Sequence, residues 1–170
     1  ALEQTSPGFR EALSAADPGR WPRLAEAQVG VAYWAAATWG GHIALSKDHP
    51  EVVADLPLAM RLATLAWNRS PEHAEGALSS LMGSFELARP GGSRDQALSY
   101  FDRAIAASGG RSAAPFVAKA EGIALPAGDR PGFEALLRQG LTAGRLRRDL
   151  SNEVMRERAQ WLLDTADDLF

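Results

Sequence analysis

The sequence contains no cysteine, which excludes thiolate catalysis, iron–sulfur clusters, cysteine-ligated zinc and disulfides. β-Branched residues are scarce as well: valine, isoleucine and threonine supply 14 residues against 53 alanines and leucines. Helix formers so outnumber strand formers that a β-sandwich or a parallel-sheet α/β fold is ruled out. Positive charge is not in excess, since 18 basic residues face 21 acidic ones for a net charge of -3. The chain as a whole therefore carries no electrostatic footprint for nucleic acid or for an anionic membrane. Sixteen of the 18 basic residues are arginine, which reads as coding bias rather than as a recognition surface.

Recognisable reaction motifs are also missing. No GxSxG, P-loop or GxGxxG occurs, and Gly109-Gly110 reads as a helix stop. His42, His49 and His73 form neither a helical i, i+4 ligand pair nor an HExxH motif, so neither a metal nor a cofactor is expected. Asp164, Asp167 and Asp168 close the chain without a neighbouring nucleophile or base pattern and read as a solvated face. A non-enzymatic protein is the expectation.

What remains is one ordinary domain's length of helix-forming chain. With 170 residues, a single core formed by the whole of 1–170 is expected, residues 1–22 being an amino-terminal helix and joint. The chain begins at Ala1 rather than methionine, which suggests a processed leader. Periodicity and breakers predict helices over 7–16, 23–46, 51 or 58 to 68, 74–88, 93–108, 113–125, 130–143 and 151–169. Pro57 is expected in the first turn of its helix or at a kink, and Ser93 with Gln96 reads as an N-cap. The 20 residues from Ala27 to Ser46 carry no charge. Their length matches a membrane span, but Gln28, Thr38, His42, three glycines and many alanines favour a helix surrounded by other helices or lining an apolar cavity.

A repeat runs through these helices. Ala59, Ala63, Ala66 and Pro71 share the spacing +4, +3, +5 with Ala97, Phe101, Ala104 and Gly109. Weaker copies lie at Phe133, Leu137 and Gly140, and at Phe9, Leu13 and Ala16. Offsets of 38 residues from Ala59 to Ala97 and 36 from Ala97 to Phe133 are near the 34 of a tetratricopeptide repeat but irregular. Glycines at Trp39-Gly40, Met82-Gly83 and Glu121-Gly122 stand in the preceding helices, where close approach calls for a small residue. The expected fold is all-α: antiparallel helix pairs forming a degenerate tetratricopeptide-like (TPR-like) superhelical stack.

Five blocks in order, AYWAAATWGGHIALSKDHPEVVADLP, EGALSSLMGSFELARPGG, YFDRAIAASGGR, AEGIALPAGDRPGFEALL and RERAQWLLDTADDLF, resemble the T-component family of TRAP transporters, over roughly residues 23–170. The resemblance implies a small periplasmic TPR-like protein, often a lipoprotein, that associates with the solute-binding P component. It also implies a homotrimer with pores and passage of a small apolar or amphipathic solute. The alternative reading is a general TPR adaptor that docks an unrelated protein or peptide in its groove.

Tyr33, Trp34 and Trp39 on the uncharged helix are the first candidates for a groove or pore. At 100° per residue the three rings cannot share one face, so at least one is left for a ligand or partner, with Tyr33 offering a hydroxyl. Phe85 is a further groove or pore candidate. Lys119 and Glu121, flanking Ala120, are candidates for a polar ligand on the concave side.

Overall fold

A computed structural model describes residues 2–170. Every regular element among them is helical, and the packing divides into a first unit that ends at His73 and a second that runs from Ala74 to Phe170.

The first unit opens with two short helices, α1 (Leu2–Thr5) and α2 (Phe9–Ser14), and a 3-10 turn at Pro18–Arg20. Helix α3 (Val29–Leu45) follows, then one turn, α4 (Pro50–Val53), and α5 (Leu56–Arg69). Antiparallel packing of α3 on α5 makes the core: Val29, Ala32, Ala36 and Ile43 face Ala59, Leu62, Ala63 and Ala66. Arg61 on α5 fastens the amino-terminal segment. Its guanidinium donates to the carbonyls of Leu13 and Ala15 and lies 4.2 Å from the centre of the Trp21 ring. Two carbonyls left over at the end of α2 thus find a cation, as helix carboxyl ends require.

The second unit is a run of longer helices: α6 (Ala77–Ala88), α7 (Arg94–Ala107), α8 (Ala114–Lys119), α9 (Arg130–Leu146), α10 (Leu150–Asp164) and a last turn, α11 (Ala166–Leu169). From α6 to α10 each helix packs on its successor, and both α6 and α10 also touch α8. Ala97 and Phe101 pack with Ile123 in one cluster. Val117, Ala120, Phe133, Leu137 and Leu162 pack in another. The repeat-spaced residues within α2, α5, α7 and α9 are buried, whereas Ala16, Pro71 and Gly109, which lie past the helix ends, are not.

Close approach sets this packing. A Cβ on Gly83 of α6 would fall 2.7 Å from the ring of Phe101 on α7, inside van der Waals contact. At the start of the unit Ala74 (φ 51°), Glu75 (φ 53°) and Gly76 (φ 87°) form a left-handed run, unfavourable for the two that carry a Cβ. Glu75 is held there by Arg147 at 2.6 Å and Arg111 at 3.6 Å. Gly76 is pressed onto α7, where a Cβ would lie 2.8 Å from the Cα of Ala104.

Several boundaries differ from the sequence expectation. The first helix of any length spans Phe9–Ser14 rather than 7–16. The long helix starts at Val29, six residues late, after a 3-10 turn at Glu26–Gln28. No serine, threonine or aspartate is available there as a cap, so the Gln28 side chain accepts from the amide of Ala25 and donates to Thr5 and Ser6. Pro57 sits in the first turn of α5. The helix expected over 113–125 is α-helical only to Lys119, then widens into a π turn (Ala120–Ala124) and tightens into a 3-10 turn (Leu125–Ala127). Pro126 explains the change, because it lacks an amide hydrogen and its ring collides with the carbonyl four residues back in a regular helix. Helix α9 runs three residues past the expected end, and the last helix breaks at Thr165, whose hydroxyl donates to the carbonyl of Trp161. Ser93 caps α7 as its sequence suggests, accepting from the amide of Gln96.

The Gly83–Phe101 contact yields a test. Gly83→Ala should destabilise the protein by about 1–3 kcal/mol through overpacking, and Phe101→Ala by about 3–5 kcal/mol through the cavity it leaves. Because the two residues touch, Gly83→Ala combined with Phe101→Leu should cost less than the sum of the single changes in urea unfolding.

Candidate functional site

Helix α3 carries no charged residue from Val29 to Leu45, so burial alone distinguishes its faces. One face meets α5. The opposite face, Val31, Trp34, Thr38, Gly41 and Leu45, is exposed, and its 3, 4, 3, 4 spacing makes a straight stripe along the helix. Trp34 is 64% exposed and Leu45 88%. Ala27, Gly30, Val31, Trp34, Ala35 and Thr38 line a shallow apolar shelf of about 560 Å³ on this face.

The three rings separate as their spacing requires. Trp34 stands out in solvent, while Tyr33 and Trp39 are half-buried on the flanks. Tyr33 packs edge-on to Trp34, with ring centres 5.1 Å apart, and to His73 at 5.6 Å. Burial raises the pKa of its hydroxyl, which remains a neutral hydrogen-bonding group near neutral pH.

The other candidates lie in the second unit and are committed to its structure. Phe85 is buried on α6. The Lys119 ammonium donates to Asp102 on α7 at 2.7 Å, and Glu121 accepts from Arg158 on α10. The two charges flanking Ala120 therefore turn to different neighbouring helices and do not converge.

Two polar groups that sequence reading passed over hold the second unit's turns. Asn152, fully buried, accepts from the amide of Ala113 at 2.9 Å and donates to the carbonyls of Arg111 and Arg147. It joins the α7–α8 turn to the α9–α10 turn. Glu86, buried at the end of α6, accepts from Arg89 through both oxygens and from the amide of Ser93 at 2.7 Å. The hydrogen bond from Arg89, opposed by desolvation and aided by the Ser93 amide, holds its carboxyl below the usual carboxylate range. Neither residue had a sequence signal: Asn152 bonds backbone groups, two of them about 40 residues away, and Glu86 with Arg89 reads as an ordinary i, i+3 pair until its burial and its bond from the Ser93 amide are seen.

Among the described residues no group of three or more histidines, aspartates or glutamates is placed to hold a metal. No described helix is long and apolar enough to cross a membrane. Structure and surface define an all-helical protein of paired helices whose extended uncharged surface is the stripe on α3. The chain belongs to the TRAP transporter T-component family, whose profile matches residues 1–170, as the ordered sequence blocks led one to expect. The family is an accessory component of a transport system, associated with its periplasmic side. No curated protein matches the chain significantly.

The Glu86 clasp predicts a pH dependence. Its folded pKa is below the unfolded one, so its contribution is fully present above the ordinary carboxylate value and is lost as pH falls through the lower folded value. Glu86→Gln should cost about 1–3 kcal/mol at pH 7. The gap between wild type and variant should close in urea titrations as pH is lowered below about 4.

Proposed function

We propose that this chain is the component that holds the periplasmic solute-receptor (P) protein of its transporter, and that the exposed stripe of α3 makes the contact. The observation that carries the reading is the uncharged stripe with Trp34 and Leu45 in solvent. Contiguous apolar surface of this kind on a folded protein marks an interaction site, and an exposed tryptophan is a common anchor of such contacts. Residues 1–170 act in this reading as one TPR-like domain; the successive packing of α6 to α10 supports a stack of that type. Self-association into a trimer and passage of a small apolar solute along the aromatic flank, with Tyr33 receiving its polar end, complete the proposal.

Trp34→Ala removes mostly exposed surface and should change stability by less than about 1 kcal/mol. It should weaken binding to the purified P component at least about ten-fold by calorimetry, since a buried aromatic anchor contributes more than 1.4 kcal/mol. Unchanged affinity would remove α3 from the contact. Light scattering at tens of micromolar should give three times the chain mass; a monomer there would overturn the trimer and leave the receptor contact standing.

A further inference from the structure

The α9–α10 corner combines two features found apart elsewhere on the molecule. Leu146 ends α9 and Leu150 begins α10, and they are 65% and 81% exposed. Between and beside them stand Arg145, Arg147 and Arg148, with Asp149 the one acidic residue of the 145–150 segment and Glu75 and Glu153 reaching it from outside. Arg147 is tied to Asp149 and Glu75. Arg148 reaches Glu153 only loosely, at 3.3 Å with its side chain 80% exposed, and Arg145 is exposed with no ion-pair partner among the described residues.

The leucines are not exposed through fraying. Asp149 caps α10 at the amide of Asn152, and Asn152 in turn donates to the carbonyl of Arg147 at 2.7 Å. The turn is thus fixed from inside while its apolar side chains are held outward. Beside it, Phe116, Ala143 and Leu146 line a shallow recess of about 360 Å³ with Arg138 at the rim.

We propose that this corner rests on an anionic lipid surface, with Leu146 and Leu150 inserted among the acyl chains and Arg145 and Arg148 at the phosphates. Side chains projecting from a turn need a partner that supplies its own shape, and a fluid bilayer does so. Insertion of exposed apolar groups and attraction of nearby basic residues are the two contributions that hold peripheral proteins at such surfaces. The chain-wide charge of -3 hides this local excess. The exposed Leu45 has no such setting, for the turn after it carries Lys47 against Asp48 and Glu51.

The test is co-sedimentation of the full chain with vesicles of phosphatidylcholine alone or with about 30% phosphatidylglycerol. Binding is expected only to the anionic vesicles and should fall several-fold between about 50 and 300 mM salt. Leu146→Ala with Leu150→Ala should weaken it at least about ten-fold with the melting temperature kept, because both side chains are already in water. Because the native chain has no cysteine, Leu150→Cys carries a single environment-sensitive fluorophore, which should shift to the blue on anionic vesicles. Absence of binding to anionic vesicles, or equal binding by the double variant, overturns the proposal. If the double variant instead loses the P component while neither protein binds vesicles, the corner is a protein contact and the lipid assignment fails.

Discussion

Everything in this fold depends on how closely its helices approach. With alanine at Ala32 and Ala36 facing alanine at Ala59, Ala63 and Ala66, and with glycine at Gly83 beneath the ring of Phe101, backbones lie near one another. Individual side chains bury little area under that arrangement, so stability comes from many small contacts packed without voids. Large rings such as Phe101 and Phe133 are admitted only where a small residue makes room or a second layer begins. That constraint accounts for a composition dominated by alanine and leucine and for the scarcity of branched side chains.

A core of small residues leaves the turns to be fixed by other means, and buried or half-buried polar groups do this. Arg61 closes the end of α2, Asn152 joins two turns of the second unit, and Glu86 clasps the turn ahead of α7. Each satisfies backbone groups that a helix end leaves open. Each is also costly to remove, because an orphaned buried amide or carbonyl finds no water. The left-handed run at Ala74 and Glu75 belongs to the same economy of structure: an unfavourable backbone is held by Arg147 and Arg111 on Glu75.

Much of the fold was legible in the sequence because it depends on local periodicity. The spacing of Ala97, Phe101 and Ala104, and of Phe133, Leu137 and Gly140, marks buried faces correctly, and Ser93 is the cap its sequence suggests. What could not be read depends on contacts distant in the chain. The late start of α3 follows from Gln28 reaching Thr5 and Ser6. Lys119 and Glu121 look like an exposed pair until Asp102, 17 residues before Lys119, and Arg158, 37 residues after Glu121, are seen to claim them. On α3 the sequence announces that no face is charged; only the packing on α5 tells that Trp34 is the ring left in water.

The wide turn at Ala120–Ala124 separates chain length from helical register. A π turn carries one residue more than an α turn for nearly the same advance, so it absorbs an extra residue inside a helix that would otherwise rotate every later side chain by about 100°. Successive copies of the spacing begin 38 and 36 residues apart where about 34 is usual in tetratricopeptide repeats, and surplus residues between helices ordinarily lengthen a loop. At this position the wide turn instead re-phases the last residues of the same helix before Gly128 (φ 67°) ends it, with Ile123 and Ala124 kept buried. One surplus residue can therefore be held inside a helix without turning its buried face toward water.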